Sequence, residues 1–136
     1  MTRTSFLSVV LLSLAASISP CLAQEFKVYP GATLDEKASR EASAAAPGKE
    51  SQVYTTTDSL DKVSAFYKGL YKEITLRSPG PKLPSGEQVR WFFFSIDGES
   101  SMAKSKFWMK VQWPYAGGAD GKDVRNITVI QTVRSK

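Results

Sequence analysis

The sequence predicts an α+β domain of two layers: an antiparallel sheet of about four strands with one or two helices on one face. Three observations point there. Runs rich in Val, Tyr, Phe and Thr crowd the C-terminal half, hairpin-length links separate them, and two helix-like stretches lie ahead of them. Strands segregated in this way pair antiparallel, and helices cover the sheet's apolar face.

The elements follow in order. Residues 1–23 carry one charge, Arg3, then the apolar run Phe6–Ile18, then Ser19, Pro20, Cys21, Leu22 and Ala23. A basic start, an apolar stretch and small residues three and one before the cut predict a cleavable signal peptide processed after Ala23. The run is shorter than the ~20 residues that cross a bilayer, and Pro20 ends any helix at its edge. Acylation of Cys21 is disfavoured because Pro20, not Gly or Ala, precedes it. Processing leaves one domain, residues 24–136, in the bacterial periplasm or secreted. It also removes the only cysteine, and the chain has no histidine. Thiol chemistry, disulfides, the commonest general base and the commonest zinc ligand are thereby set aside. Loss of Arg3 takes Lys+Arg from 18 to 17 against 13 Asp+Glu, a net charge of +4. That mild excess suits anionic envelope surfaces and ordinary soluble proteins alike.

The mature chain opens on Phe26–Ala32, an extended piece closed by Pro30-Gly31. Thr33–Ala46 is rich in alanine and charge, with Leu34, Ala38, Ala42 and Ala45 near helical spacing, Thr33 as N-cap and Pro47-Gly48 as stop. Its alanine face drives little burial, so a helix on the sheet and a solvated linker are both open. Gln52–Thr57 reads as a strand. Asp58 reads as the N-cap, and Asp61 as the capping-box partner, of a helix to about Tyr71. Leu60, Val63, Phe66, Tyr67 and Leu70 paint one apolar stripe on it. Ser78–Glu87 holds three prolines and two glycines and reads as a loop. Val89–Ile96 is apolar enough to be covered on both faces at its centre. Along Lys104–Trp113, Phe107, Met109, Val111 and Trp113 alternate with Lys104, Lys106, Trp108, Lys110 and Gln112. Pro114–Lys122 reads as a Gly-rich loop and Asp123–Val133 as a last strand, with Ile127, Val129 and Val133 on one side.

Tyr29-Pro30-Gly31-Ala32, then Val53-Tyr54-Thr55-Thr56 leading through Asp58 into Lys62-Val63 and Ala65-Phe66-Tyr67-Lys68, resembles a group of small exported bacterial proteins of uncharacterised function. Trp108, Pro114 and the terminal strand look like the closing part of the same group. The resemblance spans nearly the whole mature chain and implies export and a small α+β fold. It lends no activity, ligand or functional residue.

Several motifs invite a chemical reading. Ser59…Lys62 and Ser101…Lys104 match Ser-x-x-Lys, in which a lysine one turn on activates a helix-start serine. The partner motifs of that chemistry are missing, and a helix-start serine caps. Gly117–Asp123 looks like a calcium loop but offers two carboxylates where calcium takes six to eight oxygens. Glu73, Glu87, Asp97 and Glu99 lie near loop ends, with nothing in the sequence to pair two of them across a cleft. Asn126-Ile127-Thr128 spells a sequon in the middle of a strand.

What remains is the outer face of the Lys104–Trp113 strand. Lys104, Lys106, Trp108 and Lys110 surround an aromatic with cations, a surface able to bind polyanions or sugars. The same charges can serve only to keep an exposed strand from sticking to another. The expectation is a non-enzymatic binding or accessory domain for an anionic or glycan envelope component. It carries no cofactor, no metal, no nucleic acid and no transmembrane segment after processing, and oligomers are open to it. A small carboxylate-based envelope enzyme is the alternative, as is an oligomerising module built on Trp91–Phe94.

Overall fold

The structure, a computed structural model, describes residues 25–76, 78–118 and 120–136. The expected signal peptide, residues 1–23, lies outside them. No described helix is long and apolar enough to cross a membrane.

The fold is α+β, as expected, around a six-stranded antiparallel sheet. Its strands are β1 (Thr33–Leu34), β2 (Lys49–Thr56), β3 (Lys72–Ile74), β4 (Arg90–Ser95), β5 (Phe107–Trp113) and β8 (Thr128–Ser135), in the order β1-β2-β8-β5-β4-β3. A hairpin of β6 (Tyr115–Gly117) and β7 (Asp123–Arg125) stands apart from it. Helices α1 (Glu36–Ala45) and α2 (Leu60–Lys68) complete the elements of the described residues.

The sheet has six strands where about four were expected because β1 and β3, two and three residues long, pair onto longer neighbours. β6, three residues long in the separate hairpin, likewise exists only by pairing. β1 lies on Thr55 and Tyr54 of β2, β3 on the end of β4, and β6 on β7. The expected Asp123–Val133 strand divides where Ile127 N–H turns back onto the Arg125 carbonyl at 2.8 Å. Asn126 is therefore in a bend, not mid-strand.

The layering also differs from helices on one face. Successive strand residues point to opposite faces. Leu60, Val63 and Tyr67 of α2 pack with Tyr54, Phe94, Met109, Val111 and Ile130. Ala38 of α1 packs with Val53, Val129 and Tyr115, which belong to the other face and to the hairpin. The sheet is thus the middle layer, with one helix on each side. Phe107, Met109, Val111 and Trp113 do face the main core, as their alternation requires.

α2 starts one residue later than expected. The Asp58 carboxylate is engaged by the Tyr29 hydroxyl at 2.7 Å and the Lys62 ammonium at 3.4 Å. Ser59 is the cap instead, accepting the Lys62 N–H. The helix stops at Gly69, so Leu70 falls off the stripe and is exposed, while Phe66 is half-buried against Tyr29 and Tyr67. The Tyr29–Ala32 turn forms as expected, with the Ala32 N–H on the Tyr29 carbonyl and Gly31 at φ +83°. Pro then Gly at its centre is the type II pattern, whose third residue needs a positive φ.

α1 is capped by Asp35, not Thr33, because Thr33 and Leu34 are drawn into β1. The helix runs along the outer edge of β2. Ser39 Oγ accepts the Val53 N–H at 2.8 Å, and Ser43 Oγ both accepts from Ser51 N–H and donates to the Ser51 carbonyl. Two serines one turn apart thereby satisfy backbone groups of a strand edge that β1 is too short to cover, and such edges otherwise recruit other strands. Replacing both serines by alanine is expected to cost about 2–3 kcal/mol and to promote association through β2. Denaturant unfolding and sedimentation check this; an unchanged midpoint with a monomer at all concentrations contradicts it.

Candidate functional site

β4, β5 and β8 supply the floor of the site. On the face carrying α1, pairing places Trp91 opposite Gln112, Phe93 opposite Lys110, and Lys110 opposite Gln131. The Trp91 and Phe93 rings meet edge-on at 5.4 Å, and Phe93 and Trp108 lie 6.0 Å apart. Trp91, Trp108 and Lys110 are half-buried, and Phe93 beneath them is buried. The three rings form one strip from β4 to β5, continuing toward the loop that holds Val89. In that loop Gly80 is irreplaceable: a Cβ there would run into the Val89 carbonyl.

Beside this strip a groove of about 590 Å³ lies between α1 and the β6–β7 hairpin. Ala38, Ala42 and Ala45 give it a wall of methyl groups, Tyr115 forms part of the other wall, and Glu41, Lys110, Gln112 and Gln131 contribute its polar groups. Gly117 makes room for the Tyr115 ring, which a Cβ would strike. Arg125 braces the two walls. Its guanidinium stacks on Tyr115 at 4.0 Å, pairs with Asp123 of its own hairpin at 3.2 Å, and reaches Asp35 at the α1 cap at 3.8 Å.

The Lys110 ammonium sits 5.9 Å from the centre of the Trp91 ring. Among the described residues it joins no ion pair, whereas Lys37, Lys62, Arg90, Lys122 and Arg125 all have carboxylate partners. Burial pushes its pKa below the ordinary lysine value, since a low-dielectric setting disfavours the charged form. An aromatic face attracts a cation but accepts no ordinary hydrogen bond.

Of the four expected surface residues, Trp108 and Lys110 stand on β5 and face the same way. Lys104 and Lys106 do not belong to the strand, which starts at Phe107. The Lys104 and Ser105 N–H groups fold back onto the Ser101 carbonyl, and the Asp97 carboxylate takes the Lys106 and Phe107 N–H groups. The aromatic next to Trp108 is Phe93 of the neighbouring strand. The sequence does not mark Trp91 and Phe93 as site residues, because the run Trp91–Phe94 has no polar residue to distinguish its faces. In the structure Phe92 and Phe94 pack toward α2 and the other two rings lie on the opposite face, so both sides of that run find work within one chain.

The other motifs resolve locally. Ser59 and Lys62 are a cap and its salt-bridged neighbour, and Ser101 closes a turn. In the suspected calcium loop Asp120 pairs with Lys122 and Asp123 with Arg125. Among the described residues no three acidic, Cys or His side chains gather to hold a metal. No protein-family model, curated protein or solved structure matches the chain.

Proposed function

We propose that the protein is an exported, periplasmic binding domain that recognises an anionic or glycan component of the cell envelope and catalyses no reaction itself. The strip of half-buried Trp91 and Trp108 with buried Phe93 between them, beside Lys110, carries the proposal. Flat rings stack on sugar rings, and an unpaired cation next to them selects acidic ones. The signal-peptide pattern and the resemblance to small exported proteins support the location. Lys104 and Lys106, outside the strand, contribute at most a diffuse positive field that salt screens.

Tryptophan fluorescence titrated with oligogalacturonate tests the surface. Trp108→Ala is expected to weaken binding about tenfold, the effect of losing a stacking platform worth ~1–3 kcal/mol. It should cost the fold no more than about 2 kcal/mol, because Trp108 is half-buried. Binding by the parent protein should weaken as salt is raised. A Trp108→Ala protein that is folded and binds as well as the parent sinks the proposal.

A further inference from the structure

We infer that the groove between α1 and the β6–β7 hairpin receives a single carboxylate on Lys110, so that the component bound is an acidic sugar chain rather than a polyphosphate or a neutral glycan. The inference rests on the binding surface proposed above and specifies its chemistry.

Lys110 belongs to both parts of the site. It lines the groove and lies beside the Trp91 ring, so an anion on its ammonium can be joined to a ring resting on the aromatic strip. Among the described residues no carboxylate pairs with it. A partly buried ammonium with unused donors is costly to keep, and an oxyanion entering the groove supplies the missing acceptor through a charge-assisted hydrogen bond. Gln131, opposite Lys110 on β8, can donate its amide to the same anion, while the Gln112 amide is already held by the Pro114 carbonyl at 3.1 Å.

The charge count sets the valence. Among the described residues the groove is lined by one cation, Lys110, and one acid, Glu41 of α1. Among those residues it has neither an arginine fork nor a free helix N-terminus, since the Asp35 carboxylate caps α1. Dense phosphate or sulfate is matched by several cations at once, and here Glu41 opposes it. One ammonium beside an amide and an aromatic strip fits a monoanion on a flat, otherwise neutral ring. The methyl groups of Ala38, Ala42 and Ala45 leave that space open, and Arg125 ties the hairpin to the α1 cap.

Calorimetric titration of the purified protein with trigalacturonate, with its methyl ester and with inorganic phosphate tests this. The acid is expected to bind at least tenfold more tightly than the ester. Lys110→Gln should abolish that preference, and Lys110→Arg should keep it. Phosphate should displace the acid no better than acetate does. Equal binding of acid and ester, with Trp108→Ala still weakening both, overturns the carboxylate inference and leaves the surface standing. Displacement by phosphate where acetate fails also overturns it. If neither sugar binds, the surface itself falls.

Discussion

Tyr67→Ala is expected to remove about 4 kcal/mol of stability, within the range for truncating a fully buried aromatic. Tyr67 has no exposed surface. Its ring lies among Phe26, Phe66, Tyr71 and Phe94 at centroid distances of 5.7, 5.0, 5.9 and 6.2 Å. Its hydroxyl donates to the Lys27 carbonyl at 2.9 Å, so the same residue ties the N-terminal segment to α2. Tyr67→Phe keeps the ring and loses only that hydrogen bond, for about 1 kcal/mol. Denaturant unfolding of the two variants separates packing from hydrogen bonding. A Tyr67→Ala loss under 1 kcal/mol would mean that α2 does not seat on the sheet as described.

Asp97→Ala should cost about 2–3 kcal/mol, although its side chain lies at the surface. The carboxylate organises the connection from β4 to β5. One oxygen accepts the Ser95 and Ser105 hydroxyls and the Glu99 N–H, and the other accepts the N–H groups of Lys106 and Phe107. Burial alone would raise its pKa, but hydrogen bonds from Ser105, Ser95 and the Lys106 and Glu99 backbone outweigh that and bring it down to about 2. In the unfolded chain the group titrates near 3.9. A depressed carboxylate stabilises the fold above its unfolded pKa, and that contribution fades as pH falls from about 4 to about 2. Solvent screening reduces its size at this exposed position to about 1 kcal/mol. Asp97→Asn should therefore flatten the stability profile in that window, with little change in slope above pH 5. Parallel profiles for Asn variant and parent would contradict the role given to the carboxylate.

The long elements were legible because their periodicity reports burial. Leu60, Val63 and Tyr67 mark the buried stripe of α2, and Met109 and Val111 mark the core side of β5. α1 was harder: alanines at helical spacing do not say which face of a sheet they meet. Its decisive contacts come from Ser39 and Ser43, whose partners are backbone groups of β2, invisible to residue-type patterning. The Asp58 cap was displaced by Tyr29, a contact across 29 residues that local capping rules do not contain. In the site, alternation correctly set Trp108 and Lys110 on one face of β5. It failed at Lys104 and Lys106 because the pattern was carried past the turn that Asp97 holds. Trp91 and Phe93 joined the site through strand register, and register becomes readable only when one face is polar.

The central claim, that the face of Trp91, Phe93, Trp108 and Lys110 binds the envelope component, is met most directly by the three indole N–H signals of an ¹⁵N-labelled protein. Trp113 provides the internal control: it packs toward the opposite face, and its Nε1 donates to Asn126 at 2.9 Å. As trigalacturonate is added, the Trp91 and Trp108 indole signals should shift together along one saturable curve while Trp113 stays in place. Movement of Trp113 alone, or three unmoved signals at millimolar trigalacturonate, would contradict the account.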